Sequence, residues 1–428
     1  MRHTVSELVL NNGSRGLLID IPDASVMVFN FNFRAGEYLV DTNKCQVPHL
    51  MEHIILGAND YIPRSRDFQA ELEKNGAYNN ASTSVYDITY EAECADFEWE
   101  RVMKLMLIAI SKPLFLEDEF RAEFGNVAEE MSARSNNHFR QLGLTMSKRF
   151  GLIARTDAEH LKLMKNIINE DIKSHYNKTH NTKNMRFVIA GKFNKTRLSK
   201  IKKLLEEVAL SSEGERFSLP DEKLIKPVKP IYIKNQTVKN LYFYLDTFSI
   251  DRLNAREYDS LSVVNTLLTE TLYSKILGTA RELGLVYGMS SGIGHTKNFS
   301  NWWFGAQVSS KNALALMDII TKQINNLKIG KISNSDIKAT KQYVLGRFQR
   351  SAQTVAGTTV GYLNRYFFDD VIESYHEIPE RIEKITKNDI VKTTNKMFRD
   401  KIWGIGVLGD CGHEFVDELN NKLAVLWL

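Results

Sequence analysis

The spacing of apolar and polar residues in the first half of the chain predicts a sheet with helices inserted between its strands. Ser25–Tyr38 (SVMVFNFNFRAGEY) alternates with period two and predicts a long strand that ends at Gly36. Asn79–Cys94 and Asn184–Phe193 are rich in β-branched and aromatic residues and predict further strands. Helical patterns fall between these runs, at Arg64–Gly76, Phe97–Ile110 and Glu117–Ser135. This order of elements predicts an α+β fold.

The second half repeats the order of elements seen in the first. Ile231–Ser249 predicts paired strands, and Tyr258–Leu277 predicts a helix after them. Ile402–Asp410 echoes the apolar run at Phe187–Phe193. Between the halves, residues 216–230 contain three of the eight prolines and mixed charges, which favours a linker. We therefore predict two homologous domains, residues 1–215 and 231–428, each a mostly antiparallel sheet with helices packed on it.

Composition narrows the class of protein. The 428 residues are 43% hydrophobic and 25% charged, as in globular proteins with sizeable cores, and a net charge of +4 gives no reason to expect nucleic acid as a partner. The start lacks the apolar core of a signal peptide and no long apolar run follows, so we expect no membrane span. Cys45, Cys94 and Cys411 are scattered, which favours a reducing cytoplasm. Cys45 lies four residues before His49 and is interpreted as a buried small hydrophobe rather than a metal ligand.

The strongest candidate for chemistry is the segment His49-Leu50-Met51-Glu52-His53, an H-x-x-E-H motif. On a helix, positions i and i+4 share a face, so both imidazoles can bind one metal ion while Glu52 lies beside a metal-bound water. Pro48 suits the first turn of such a helix, and Leu50 with Ile54 would bury one side of it. Buried histidines need a polar partner, and zinc is the simplest one. The alternative is a helix with two surface histidines and a solvated glutamate.

A catalytic zinc needs a third protein ligand besides two histidines, because such sites use three protein ligands and one open position. The predicted helix at Glu117–Ser135 offers several acidic residues: Glu117, Glu119, Glu123, Glu129 and Glu130. Glu123 and Glu130 are two turns apart and share a face. One of them can bind the metal while the other orients a histidine. The spacing alone leaves both assignments open, along with a purely solvated acidic face.

The whole chain resembles the pitrilysin/insulinase family of inverzincins, in its small two-domain form that is like the mitochondrial processing peptidases. The segments that carry the resemblance are FRAGEY, PHLMEH, GAYNNASTSVYDITYEAEC, AEFGNVAEE and HYNKTHNTKNMRFVIAGKF. The resemblance implies Zn²⁺ bound by His49, His53 and Glu130. It also implies that Glu123 supports the site and that Glu52 is the general base and proton shuttle.

The resemblance further implies a groove for an extended peptide. NNASTSVYDITY looks like the family's edge strand beside the metal, so Asn80 and Ala81 are expected to bind the main chain of a substrate. For Asn80 the alternative is a role in a turn after Gly76. Recognition through the main chain would tolerate many side chains.

A second substrate contact is implied by ARELGLVYGMSS, which resembles the family's Arg…Tyr motif. The matching residues are Arg281 and Tyr287, which would bind substrate and help to stabilise the transition state. The spacing is one residue shorter than the family's, and Ala280 stands where the Arg normally falls. Arg281 is therefore either a shifted substrate contact or an ordinary salt-bridge residue.

Together these features predict a cytoplasmic zinc endopeptidase that hydrolyses unfolded or short peptides or processes a small precursor. In the related two-domain proteins, two chains enclose a cavity, which implies a homodimer or a heterodimer with a related subunit. One alternative is a catalytic subunit that needs a non-catalytic partner chain. The other is an inactive peptide-binding subunit, although such relatives usually lose the metal motif that this chain keeps.

Overall fold

The computed structural model describes all 428 residues, and their contacts divide the chain into two compact units. Unit 1 comprises Met1–Ala133, Ala158–Leu219 and Gln349–Tyr375, and unit 2 comprises Arg134–Asp157, Pro220–Phe348 and His376–Leu428. Each unit therefore takes one segment from the opposite half of the sequence. These units differ from the simple division of the sequence into residues 1–215, a linker at 216–230 and residues 231–428. That division into domains stays a prediction.

The chain forms eleven strands and sixteen α-helices. The strands are β1 (Thr4–Val9), β2 (Arg15–Asp20), β3 (Val26–Phe33), β4 (Tyr78–Thr83), β5 (Ile88–Ala95), β6 (Met185–Gly191), β7 (Ile231–Lys234), β8 (Leu241–Ser249), β9 (Met289–His295), β10 (Ser300–Val308) and β11 (Ile402–Gly409). The helices are α1 (Val47–Ile55), α2 (Ser65–Leu72), α3 (Trp99–Ser111), α4 (Glu117–Ser135), α5 (His138–Arg149), α6 (Asp157–Met164), α7 (Asn169–Thr179), α8 (Lys195–Glu206), α9 (Ala255–Asn265), α10 (Leu277–Glu282), α11 (Ser310–Lys328), α12 (Asn334–Ser351), α13 (Val355–Asp369), α14 (Ile378–Glu383), α15 (Lys387–Arg399) and α16 (His413–Ala424). None of these helices combines the length and apolar character that crossing a lipid bilayer requires.

The sheet of unit 1 has six strands in the order β1-β2-β6-β3-β5-β4. Only β2 and β6 run parallel, and the other neighbouring pairs are antiparallel. The alternation in β3 puts Phe29, Phe31 and Phe33 into the hydrophobic core on one face. Helix α13 packs against β3 and β6, and Asn30 and Asn32 of β3 are buried as well. Both faces of the central strand are therefore covered.

The sheet of unit 2 has five strands in the order β7-β11-β8-β10-β9, with only β7 and β11 parallel. This order and these directions repeat those of β2-β6-β3-β5-β4, so the prediction of two α+β domains built on the same plan is confirmed. Helix α5 packs against β8 and β11 as α13 packs in unit 1. In each unit, therefore, a helix from the other half of the sequence packs on the sheet: α13 in unit 1 and α5 in unit 2.

Two predictions for the second half were wrong in detail. β7 and β8 do not pair with each other, because β11 lies between them and pairs with both, just as β6 lies between β2 and β3. The helix predicted at Tyr258–Leu277 begins earlier, as α9, and passes into a π-helical turn at Thr266–Glu270. Residues 271–276 are not helical, and α10 then begins at Leu277.

A close backbone contact determines how the chain enters α1. A Cβ atom on Gly36 would lie 2.3 Å from the carbonyl oxygen of Val85, in the turn between β4 and β5. The backbone N–H of Gly36 donates to the carbonyl of Tyr86 in the same turn. Only glycine fits this approach, which brings the segment before α1 against the β4–β5 hairpin.

Candidate metal centre

Helix α1 presents the H-x-x-E-H motif on the side that faces away from its apolar stripe. The helix begins after Gln46 with Pro48 in its first turn. Its residues Val47, Leu50, Met51, Ile54 and Ile55 belong to the core of unit 1. At 100° per residue, His49, Glu52 and His53 then lie on the opposite side of the helix. The prediction that the motif lies on a helix with one buried side is confirmed.

Three potential ligand atoms converge beside α1. Glu130 Oε2 on α4 lies 3.2 Å from His49 Nε2 and 3.6 Å from His53 Nε2. All three donor atoms lie within 4.8 Å of one another. Donors bound to zinc at about 2.0–2.2 Å in a tetrahedron lie about 3.3–3.6 Å apart, so this set fits zinc. The three side chains are 11%, 25% and 31% exposed, which leaves access from solvent.

Both imidazoles are held through their other ring nitrogen. His49 Nδ1 lies 2.9 Å from Gln46 Oε1, and His53 Nδ1 lies 3.0 Å from Glu123 Oε2. An Nδ1–H that donates to an acceptor leaves Nε2 as the atom available to a metal ion. No role for Gln46 was predicted from the sequence. Its position three residues before His49, on the same face of the helix, was the available signal.

The electrostatics of the cluster favour a positive charge. The hydrogen bond from His53 lowers the pKa of Glu123 despite partial burial. Burial opposes protonation of His53, but the hydrogen bond with Glu123 and the charges of Glu52 and Glu130 raise its pKa overall. Such a site stabilises either an imidazolium or a metal cation.

Glu52 has a partner that sequence reasoning missed. Thr83 Oγ1 donates to Glu52 Oε2 at 2.5 Å. Thr83 ends β4, and β4 packs against α1. No local sequence signal identifies this contact, because it depends on how the edge strand docks against the helix.

The acidic residues of α4 divide into distinct roles. Glu119 accepts hydrogen bonds from the backbone N–H groups of Ala58 and Ser65, which fixes the chain between α1 and α2. Glu123 and Glu130 face the two histidines, whereas Glu129 is exposed. The structure therefore brings Glu130 to both Nε2 atoms and Glu123 to one Nδ1 atom, and the roles of these two residues at a metal ion stay predictions.

The predicted substrate strand lies at the edge of the unit 1 sheet. β4 is the terminal strand and pairs only with β5, so its outer edge is open. Asn80 is opposite Glu91, and its Nδ2 donates to the Glu91 carboxylate at 3.3 Å, while Ala81 is opposite Tyr90. The edge position is confirmed, and the role of Asn80 and Ala81 in binding stays a prediction.

Arg281 and Tyr287 contact each other in unit 2. Arg281 lies in the last turn of α10 and donates from Nη1 to the backbone carbonyl of Tyr287. Its guanidinium also lies over the Tyr287 ring, 4.9 Å from the centroid. The Tyr287 side chain is 87% exposed. The pair forms one exposed patch, and its role in substrate binding stays a prediction.

Comparison with known families agrees with this architecture. Residues 40–152 match the family described as Insulinase (Peptidase family M16), and residues 166–344 match the one described as Peptidase M16 inactive domain. The chain is a member of the pitrilysin/insulinase family, peptidase family M16. A comparison with curated proteins found no match.

Several solved structures share the whole fold. A protease from Helicobacter pylori superposes with a TM-score of 0.84 at 18% identity, covering 95% of this chain and 100% of that one. A peptidase M16 inactive domain from Pseudomonas fluorescens gives 0.83 at 17% identity, covering 96% and 98%. A chain of complex III2 from Candida albicans gives 0.81 at 14% identity, covering 98% and 99%. The fold is thus shared by a protease and by a chain of a multi-protein complex.

Proposed function

We propose that this protein is a zinc endopeptidase that hydrolyses unfolded or short peptides or processes a small precursor. One observation carries the proposal: the donor atoms of His49, His53 and Glu130 converge beside Glu52, on the helix that supplies both histidines. Two imidazoles and a carboxylate with an open fourth position are a typical ligand set of catalytic zinc. Manganese or cobalt can occupy the same donors, so zinc is the expected metal rather than the only one that fits.

The residues around the cluster have separate tasks in this proposal. Bound zinc would lower the pKa of a water molecule toward ~7 and polarise the scissile carbonyl. Glu52 would accept the proton of the attacking water and deliver it to the leaving amine. The Thr83 hydroxyl, 2.5 Å from Glu52, would keep the carboxylate oriented. Gln46 and Glu123 would hold the two imidazoles with Nε2 turned toward the metal.

Substrate would bind by strand addition in this proposal. The open edge of β4 offers main-chain groups to an extended peptide, and Asn80 and Ala81 lie on that strand. Arg281 and Tyr287 would supply further hydrogen-bond donors to the substrate. A chain that must be extended to bind favours flexible peptides over folded proteins.

We also propose a partner and a compartment. The partner would be a second copy of this chain or a related subunit, as in the two-domain relatives that the sequence resembles. The compartment would be a reducing one such as the cytoplasm, which is supported by three free cysteines. The alternative, a subunit that binds zinc but cleaves nothing alone, is favoured by the shortened Arg281–Tyr287 spacing.

The test is cleavage of a quenched fluorescent peptide library by the purified chain, with zinc content measured in parallel. We expect turnover that is abolished by a chelator and by Glu52→Gln, while the Glu52→Gln protein still binds one zinc at this cluster. Glu130→Gln should lose both the metal at this cluster and the activity. Glu129→Gln, one residue away on the exposed side of α4, is the matched control and should retain both.

The remaining outcomes separate the alternatives. Zinc at the cluster without turnover would favour a catalytic subunit that needs a partner chain. Stoichiometric peptide binding without turnover, in a protein that takes up no metal at His49, His53 and Glu130, would reject the enzyme proposal in favour of a peptide-binding subunit.

A further inference from the structure

A second group of metal-ligand side chains lies in unit 1, outside the cluster described above. Glu37, Cys45 and His160 bring a carboxylate, a thiol and an imidazole together, with one donor atom from each within 4.8 Å of the others. Glu37 Oε2 and His160 Nε2 are 3.5 Å apart. This group shares no residue with His49, His53 and Glu130.

Two successive turns and one distant helix build this group. Glu37 begins a short 3₁₀ turn (Glu37–Leu39), and Cys45 follows a second one (Thr42–Lys44) just before α1. His160 lies on α6. Lys44 Nζ anchors the connecting segment by donating to Asp171 at 2.5 Å, at the start of α7. The donors thus lie on two successive turns of the segment before α1 and on one helix that is distant in sequence.

The burial of the group separates it from an ordinary surface ion pair. Cys45 is 3% exposed, and the side chains of Glu37 and His160 are 11% and 12% exposed. The predicted burial of Cys45 is confirmed. The sequence favoured a small hydrophobe over a metal ligand at this position and did not place an imidazole and a carboxylate beside the thiol. A buried thiol, imidazole and carboxylate at one point form a donor set that zinc and cobalt prefer, while calcium and magnesium prefer oxygen alone.

We infer that Glu37, Cys45 and His160 form a second binding site for a divalent transition-metal ion of the zinc type. Zinc bonds of about 2.0–2.3 Å require donors about 3.3–3.6 Å apart, and the carboxylate–imidazole pair already has that spacing. The thiol sulfur lies within 4.8 Å of the other two donors, so it needs to approach them by at most about 1.5 Å. Three protein ligands leave the fourth tetrahedral position to water.

The protons balance without any redox step. Burial raises the pKa of the Cys45 thiol to about 11, so the side chain carries its proton at neutral pH when no metal is bound. A bound cation removes that proton, because a coordinating thiol is deprotonated outright. Uptake of one metal ion therefore releases one proton from Cys45 to solvent and forms a sulfur–metal bond, with His160 binding as neutral imidazole.

The consequence is structural. The bound ion would tie the segment that leads into α1 to helix α6, and so would fix the start of the helix that carries His49 and His53. Any ligand that binds only the folded chain stabilises it in proportion to the logarithm of its concentration. The site does not depend on the proposed peptidase activity, because it can be occupied whether or not the other cluster binds metal.

The test uses cobalt(II) chloride and the full chain carrying His49→Ala and His53→Ala, which removes the two histidines of the first cluster. Thiolate bound to Co²⁺ gives a near-ultraviolet charge-transfer absorption, which donors without sulfur cannot give. We expect one Co²⁺ per chain with this absorption. Cys45→Ala and His160→Gln should each abolish it. Cys94→Ala, which removes the other buried thiol of unit 1, should leave it unchanged.

Two results would overturn the site: Co²⁺ binding without a sulfur absorption, or an absorption that survives Cys45→Ala. If Cys45→Ala does not fold, as judged by its helical circular dichroism, His160→Gln and Glu37→Gln decide the matter, since both variants keep the Cys45 thiol and lose one other ligand. In the otherwise unaltered protein, zinc content should fall from two equivalents to one with His160→Gln. Failure of the peptidase proposal would instead appear as absent turnover with the sulfur absorption intact.

Discussion

His53 and Glu123 form a hydrogen-bonded pair, with 3.0 Å between the imidazole Nδ1 and the carboxylate Oε2. The contact joins α1 to α4, the two helices that supply the candidate ligands. It also directs His53 Nε2 toward Glu130, 3.6 Å away. A residue that holds a ligand in this way acts on metal affinity without touching the metal.

The first prediction concerns Glu123. Replacing it with Ala removes the acceptor for His53 Nδ1 and should lower zinc affinity about 10–100-fold. Glu123→Gln keeps an acceptor oxygen without the charge, so its loss should be smaller. Competition with a chromophoric chelator measures both affinities. Equal affinities for the unaltered protein and Glu123→Ala would show that the pair has no positioning role.

The second prediction concerns the Thr83 hydroxyl. Thr83→Val keeps the shape of the side chain but removes the donor to Glu52, and a hydrogen bond to a charged group contributes about 1.5–3 kcal/mol. We expect kcat to fall about 10–100-fold if the proton acceptor loses its orientation, with zinc content and KM unchanged. Thr83→Ser restores the hydroxyl and should recover most of the activity. A drop in zinc content with Thr83→Val would instead assign the residue to the metal site.

The sequence predicted those features of this site that depend only on residues close together in the chain. The helical period alone puts His49, Glu52 and His53 on one side of α1, and α4 has the predicted bounds Glu117–Ser135. Those elements are long or strongly patterned, so their local signals agree with the fold. The predicted roles of Glu123 and Glu130 came from a resemblance, because spacing alone did not distinguish them.

The parts that could not be predicted depend on how distant elements pack. Thr83 meets Glu52 only because β4 docks against α1, and Cys45 meets His160 only because α6 packs beside the segment before α1. The placement of α5 in unit 2 and of α13 in unit 1 also depends on how distant elements pack. An amphipathic pattern predicts that a helix packs on a sheet, but it does not say on which sheet.

The C-terminus of α13 is held in unit 1 by three arginines around one carboxylate. Arg186 Nε lies 2.6 Å from Asp370 Oδ1, and Arg216 and Arg34 lie 3.5 and 3.7 Å from the same carboxylate. Arg216 and Arg34 also donate to backbone carbonyls at the end of the helix. Burial alone would raise the pKa of Asp370, but the attraction of Arg216 and Arg186 lowers it overall.

The third prediction is that Asp370→Asn destabilises the protein by about 2–3 kcal/mol, because it leaves buried guanidinium groups without their counter-charge. Asp370 has φ 55°, which asparagine tolerates, so the change removes charge without adding backbone strain. Urea unfolding at neutral pH measures the loss. The control is Asp60→Asn, an exposed residue of the same unit that should change stability little. A similar small effect for both variants would contradict the prediction.

Asp246 in unit 2 is a buried carboxyl group whose partner is neutral. It lies on β8 with 1% exposure, and the Asn301 amide donates to both of its oxygens at 3.0 Å. Burial raises the pKa of Asp246 to about 8, and the hydrogen bonds from Asn301 and the Thr247 backbone oppose this only in part. The folded protein therefore holds a proton at neutral pH that the unfolded chain, with its ordinary aspartate, has lost.

The fourth prediction follows from this difference in bound protons. Because the folded state binds the extra proton, the free energy of unfolding falls as pH rises from about 4 to about 8. Between pH 6.5 and pH 8 this fall should be about 1.5 kcal/mol. Burial lowers the pKa of His175 to about 4, so its opposite effect ends near pH 6.5 and does not disturb this window. His53, whose pKa is raised overall although burial opposes this, contributes a fall of the same sign above pH 6.5 in both proteins. Asp246→Asn carries no titratable group at this position and should remove the part of the fall that is due to Asp246, making the variant more stable than the unaltered protein at pH 8. Urea unfolding of both proteins at several pH values above 6.5 measures how the free energy of unfolding of each protein changes with pH. Equal changes in the two proteins would mean that Asp246 does not hold a proton in the folded state.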